Sequence, residues 1–135
     1  MPGRRGLKTS DPAAYLPHRH PFLLIDRLLA REPDASASAL VRVSQALPAF
    51  PAVLLVEAMA QVAGIAAGHA EGEGGFLAAI NHAEFHGSAA PGDSLRVTAR
   101  IVTSFGRLRL VHGEVHRDDR PLASATLALG IGPLG

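Results

Sequence analysis

Glu57 and Gln61 are the two strongly polar side chains in an otherwise greasy stretch, Val53 to Gly68. Four residues apart, they lie on one face if the stretch is a helix. A carboxylate on a buried helix loses its hydration and needs a compensating partner or a shifted pKa. Burial raises the pKa of such a group, and a place in the first turns of a helix lowers it through the dipole. Where burial prevails, the result is a carboxylic acid that can give up a proton near neutral pH, which is general-acid chemistry. The competing reading is a structural glutamate that caps the helix or pairs with an arginine. Composition leaves both open.

The seven histidines are the other candidates for chemistry, and none lies between positions 21 and 68. His18 and His20 together offer two ligands without carboxylate support, too few for a metal site. His82 and His86 read as exposed strand-end residues. His112 and His116 alternate with Glu114 along a strand, as a solvated face does. The absence of cysteine removes disulfides, thiolate chemistry and cysteine-based metal sites together. No metal and no cofactor are expected.

These residues need a scaffold. At 135 residues, with 47% hydrophobic and 19% charged residues, the chain suits one domain with a real core. A net charge of +1 gives no general attraction to nucleic acid or membranes. The basic start lacks an apolar run of signal-peptide length, no run is long enough to span a membrane, and a cytoplasmic location is expected. Residues 1–12 read as a flexible arm ahead of a single domain over 1–135. Strands are expected at Phe22 to Leu29 and Ala39 to Val43, around the turn-prone Glu32-Pro33-Asp34. The helix Val53 to Gly68 follows, with Pro51 suited to its first turn and Gly68 and Gly72 as stops. Being apolar on every side, it is expected to be buried on every side. Four further strands, Phe76 to Phe85, Leu95 to Thr103, Leu108 to His116 and Leu122 to Ile131, are separated by glycine- and aspartate-bearing turns. The predicted class is α+β, an antiparallel sheet wrapped around one long buried central helix.

Three segments carry a family resemblance. Tyr15-Leu16-Pro17-His18-Arg19-His20-Pro21-Phe22-Leu23-Leu24-Ile25-Asp26-Arg27 resembles the opening motif of the FabZ-type 3-hydroxyacyl-carrier-protein dehydratases. Val53 to Gln61 is similar to that family's helix, and Ala79 to Phe85 with Pro91-Gly92-Asp93-Ser94-Leu95 to its third signature. The resemblance implies a hot-dog fold, a dimer and a role in fatty-acid or polyketide-type biosynthesis. It also implies a mechanism in which a histidine takes the α-proton and the helix glutamate protonates the departing hydroxyl. The two come from opposite subunits. By this resemblance Glu57 is the acid, and the Ala52 N–H polarises the thioester where the family has glycine. Leu16, Pro17, Val53, Gln61 and Gly64 then belong to the substrate-binding wall. At Gly64 a missing side chain makes room for an acyl chain, or for close helix–sheet packing.

One departure bears directly on activity. The family writes His-Phe-Pro-Gly-x-Pro-x-x-Pro-Gly ahead of the helix, where this chain has Val43 to Ala52. With Pro48 and Pro51 in register, Val43 stands at the position of the catalytic histidine. His18 is the substitute candidate, against a reading as a histidine bonded to local backbone. Three functions compete: a dehydratase with a rearranged base, an acyl thioesterase in which Glu57 activates water or attacks the thioester, and a non-catalytic acyl-binding or heterodimer subunit. For the last, dehydratase-like subunits of polyene-type pathways are similar, with Leu-Pro-Ala shortly before Glu-x-Met-Ala-Gln. The expected partners are an acyl thioester on carrier protein or coenzyme A, and a second subunit. That subunit is another copy, within a homodimer or higher oligomer, or a histidine-containing dehydratase. Arg96, Arg100, Arg107 and Arg109 are candidates for a basic patch facing an acidic carrier.

Overall fold

A computed structural model describes residues 10–16, 24–45, 50–68 and 73–133. Among them six strands and one long helix appear in the order β1 (Arg27–Glu32), β2 (Ser36–Arg42), α1 (Ala52–Ala67), β3 (Glu73–Phe85), β4 (Ser94–Phe105), β5 (Leu108–Arg117) and β6 (Arg120–Pro133). The strands form one antiparallel sheet in the order β1-β2-β4-β5-β6-β3, and α1 touches every one of them. This is the hot-dog arrangement. Among the described residues no helix is long and apolar enough to cross a membrane.

Alternation along the strands decides which side faces the helix. On β4, Leu95, Val97 and Ala99 are buried while Arg96 and Arg100 are exposed. Val111 and Val115 of β5 and Ala123, Ala125, Leu127 and Leu129 of β6 complete the inner face. Gly113 is the inward residue between the two valines, and a Cβ there would lie 2.9 Å from Met59. The helix therefore rides directly on the β5 backbone.

Two strand starts and the burial of the helix differ from the sequence-based expectation. The first strand begins at Arg27 rather than Phe22, and residues 22–23 lie outside the described set. Leu24 to Asp26 are not strand: the Leu24 N–H goes to the Gln61 side chain, while the Asp26 N–H still reaches the Leu40 carbonyl on β2. The second strand starts at Ser36, earlier than Ala39. Its alternation of outward serines with inward alanines carries too little hydrophobic contrast to read. The helix, expected to be buried all round, is buried from Leu55 to Ala66 except at Glu57, but Val53 is 66% exposed. Its leading turn projects beyond the sheet.

The helix ends are handled differently. Gly68, at φ +65°, closes the C-terminus by donating its N–H to the Gly64 carbonyl. Arg31 Nε donates to the Ile65 carbonyl at 2.7 Å, and its guanidinium lies 5.2 Å from the Tyr15 ring centre. At the other end Pro51 precedes the helix and no side chain caps it. Of the arm expected over 1–12, residues 1–9 lie outside the described set, and the Ser10 carbonyl accepts the Leu28 N–H.

Candidate functional site

Gln61 is 2% exposed, the sole polar or charged residue buried to this degree among those described. Its Oε1 accepts the Leu24 N–H at 2.9 Å, and its Nε2 donates to Glu57 Oε1 at 3.1 Å. A backbone N–H must meet an oxygen, so the amide has one orientation and its NH₂ group faces the carboxylate. Glu57 is thus aimed from its own helix, one turn away, by a residue fastened to the segment before β1. The helix has no acidic residue in its first turn, and Glu57 sits beyond it, away from the leading N–H groups.

Beside this pair is a cavity of about 190 Å³ lined by Leu16, Glu57, Ala60, Gln61, Gly64, Gly75, Phe76, Leu77 and Leu129. The helical residues recur at 57, 60, 61 and 64, one face of α1. Opposite are the start of β3, an edge strand, and Leu129 of β6. Gly64 serves both readings given to it: it lines the cavity, and a Cβ on it would lie 3.3 Å from Leu16 Cδ2. Gly75 faces it so closely that a Cβ there would come within 3.7 Å of the Gly64 Cα.

Of the residues singled out in the sequence, Leu16, Glu57, Gln61 and Gly64 meet in this cavity. Ala52 and Val53 do not line it; they are exposed at the leading end of the helix. Pro17 and His18 lie outside the described residues. Ala60, Gly75, Phe76, Leu77 and Leu129 were missed. Helical spacing from Glu57 points to Ala60, but the other four depend on the β3–β6 pairing, which no local pattern reveals. Glu57 is the one titratable group among the described residues lining the cavity, and no imidazole stands among them. It can hold or deliver a proton.

Val43, at the position of the family histidine, is 2% exposed and belongs to the core. Its N–H donates to the Asp93 carbonyl and its carbonyl accepts the Gly92 N–H, both at 2.8 Å. Asp93 is held below the ordinary carboxylate range because its carboxylate accepts the Ala90 N–H and, second, an Arg117 N–H.

The four C-terminal histidines occupy the outer face of the sheet, flanking acids. His82 and His86 approach Glu84 at 3.3 and 3.9 Å, and His112 and His116 approach Glu114 at 3.3 and 4.0 Å. No group of three or more histidine, cysteine, aspartate or glutamate residues among those described is arranged to hold a metal ion. A second cavity, about 390 Å³, lies on this outer face between Ala30, Ser36, Ser38, Thr98, Arg100 and His112. The four-arginine patch does not form. Arg96 and Arg100 are exposed on the outer face, whereas Arg109 is on the inner register, bonded to the Gly106 carbonyl and 3.5 Å from Asp34.

Comparison with known proteins adds four findings. A family model described as ApeP-like, ApeP dehydratase, matches residues 10–130. A FabZ 3-hydroxyacyl-[acyl-carrier-protein] dehydratase of Syntrophotalea carbinolica is 33% identical, covering 94% of this chain and 96% of its own. Among solved structures, the dehydratase heterocomplex ApeI:P of Xenorhabdus doucetiae is similar with a TM-score of 0.77 at 17% identity, covering 88% of this chain and 89% of that one. A mutant form of the fluoroacetyl-CoA-specific thioesterase FlK is similar with a TM-score of 0.67 at 18% identity, covering 76% and 89%.

Proposed function

Because this chain belongs to the ApeP-like dehydratase family, we propose that it supplies the acid half of a two-chain dehydratase acting on 3-hydroxyacyl thioesters in the cytoplasm. The observation that carries this reading is an aimed carboxylate, Glu57 held by Gln61 at 3.1 Å, beside a cavity of about 190 Å³. Loss of a water molecule needs a base at the α-carbon as well as an acid at the hydroxyl. A histidine-bearing partner provides the base and takes the α-proton. Glu57 protonates the departing hydroxyl. A backbone N–H receives the negative charge that builds on the thioester oxygen; Ala52, the family's position for that donor, stands at the exposed leading end of α1 and does not line the cavity beside Glu57. Leu16, Gln61 and Gly64, which line the cavity, hold the acyl chain, delivered on carrier protein or coenzyme A; Val53, exposed beyond the cavity, has no part in that wall within this chain. The ApeI:P assembly, a heterocomplex by description, supports pairing with an unlike chain.

The test is complementation. The protein is mixed with a FabZ-type dehydratase whose own glutamate has been removed, and formation of the mixed dimer is verified. Dehydration that returns with the wild-type chain and vanishes with Glu57→Ala is the expected result. Alone, the protein turns over 3-hydroxyacyl thioesters about 10² to 10⁴ times more slowly than a complete enzyme. Substantial activity alone that His18→Ala removes would instead identify His18 as a substitute base. Thioester hydrolysis that depends on Glu57, with no complementation, would establish the thioesterase. A mixed dimer with neither activity would leave an acyl-binding subunit.

A further inference from the structure

We propose that the outer face of the sheet is a self-association surface, on which a second copy of this chain packs sheet to sheet and brings Phe105 of one copy against Phe76 of the other. The inference is independent of the role given to Glu57. Register places Phe105, Leu108, Gly130 and Phe76 in one row across β4, β5, β6 and β3. Leu127 and Leu129 of β6 are buried against the helix, so the alternate residues Gly130 and Ala128 face outward, and the row with them. Phe105 is 82% exposed, Phe76 56% and Leu108 48%. The Phe76 ring lies over Gly130, 2.5 Å from where a Cβ would stand, and bridges β3 and β6. The next row, Thr103, Leu110, Ala128 and Ala79, carries small or apolar side chains as well. A contiguous exposed apolar patch of this kind marks an interaction site.

Charge on the rest of this face selects the occupant. On β4 the outward residues include Arg96 and Arg100, both exposed, whereas β3 presents Glu84 between His82 and His86. A two-fold axis parallel to the strands, running between β5 and β6 in the plane of contact, turns β4 of one copy over β3 of the other. Phe105 then meets Phe76, and Arg96 and Arg100 come to either side of Glu84. The same rotation sets β5 over β6, so Leu110 and Glu114 stand above the small Ala128 and Ser124. One operation matches apolar with apolar, cation with anion and large with small. The strands of the two copies run aligned, a standard way for sheets to stack. Four strands about 4.8 Å apart, over about 26 Å from Phe105 to Arg96, cover on the order of 500 Å² per copy, or about 1,000 Å² in all. That is the low end for a specific interface, so pairing is expected near 100 micromolar, roughly, rather than at micromolar concentration.

The chain contains no cysteine, so Phe105→Cys and Phe76→Cys report contact by disulfide formation. Within one chain the two positions are three strands apart, about 14 Å, and a copy joined along the β3 edge lies farther still from Phe105. A bond between them therefore requires stacked faces. Mixing the two variants at about 100 micromolar under mild oxidation should yield a cross-linked pair containing one of each. In light scattering the mass of the wild-type chain should rise toward twice its micromolar value over the same range. Phe105→Glu and Arg100→Glu should each remove that rise, and adding Glu84→Arg to Arg100→Glu should restore it. Arg100→Glu, exposed and outside the apolar rows, decides the matter should Phe105→Glu fail to fold. No mixed cross-link, no rise in mass, a rise that survives both single substitutions, or no recovery in the double variant would each overturn the proposal. A FabZ-type dehydratase that binds the wild type but not Phe105→Glu, with no rise in the isolated chain, would assign the face to that unlike partner and overturn self-association.

Discussion

At the scale of single residues, Gln61 does more than accompany Glu57. It satisfies a backbone donor from a segment far away in sequence and aims the carboxylate at the same time. Gln61→Ala leaves the Leu24 N–H without that acceptor, so a loss of about 1 to 3 kcal/mol is expected in denaturant unfolding. Gln61→Glu, which keeps the acceptor but replaces the donor facing Glu57 with a second carboxyl group, should also be less stable than wild type in denaturant unfolding. Gly64 separates packing from room. Gly64→Ala gains up to about 1 kcal/mol of helix propensity, set against the Leu16 contact at 3.3 Å. Its stability should therefore change little, while the affinity for long acyl-pantetheine analogues, read by calorimetry, falls because the cavity narrows.

Elements are held in place by backbone closeness as much as by side chains. Met59 packs where Gly113 has no side chain, so Gly113→Val should cost about 1 to 3 kcal/mol by overpacking, read as a lower urea midpoint. The turn before β4 makes stability depend on acid. The native Asp93 carboxyl binds its proton less readily than the unfolded chain, whose ordinary value is 3.8. Its contribution is therefore fully present above that value and is lost as pH falls below it, toward the lowered native value. Comparing the unfolding midpoints of wild type and Asp93→Asn between pH 6 and pH 2.5 checks this. The gap should be widest at pH 6 and close toward pH 2.5.

For the whole molecule, β3 is an edge strand carrying exposed Phe76, Ile80 and Phe85. An open edge with apolar side chains favours pairing with another chain. The expected state is a dimer joined along β3, and Ile80→Lys should shift it toward monomer in light scattering at micromolar concentration. A stable wild-type monomer under those conditions would contradict this. The cavity beside Glu57 reaches β3 through Gly75, Phe76 and Leu77, so the same substitution should also weaken complementation by a histidine-bearing partner.

Much of this was legible without coordinates. Strand alternation in Leu95 to Ile101, the apolar helix and the Glu57–Gln61 spacing are local periodic signals, and periodicity follows directly from backbone geometry. The motif order from Tyr15 to Leu95 carried the hot-dog fold, and the alignment on Pro48 and Pro51 carried the loss of the histidine. Tertiary structure decided what depends on distant neighbours. The Leu24 N–H reaches Gln61 across 37 residues of sequence, so the first strand starts later than its apolar run suggests. Val43, at the position of the family histidine, is a buried residue bonded on both sides to the Gly92–Asp93 turn. Arg109 left the expected basic patch because it shares the inward parity of Val111, Gly113 and Val115 on β5, and what only the tertiary structure supplied is its ion pair with Asp34, on the turn between β1 and β2.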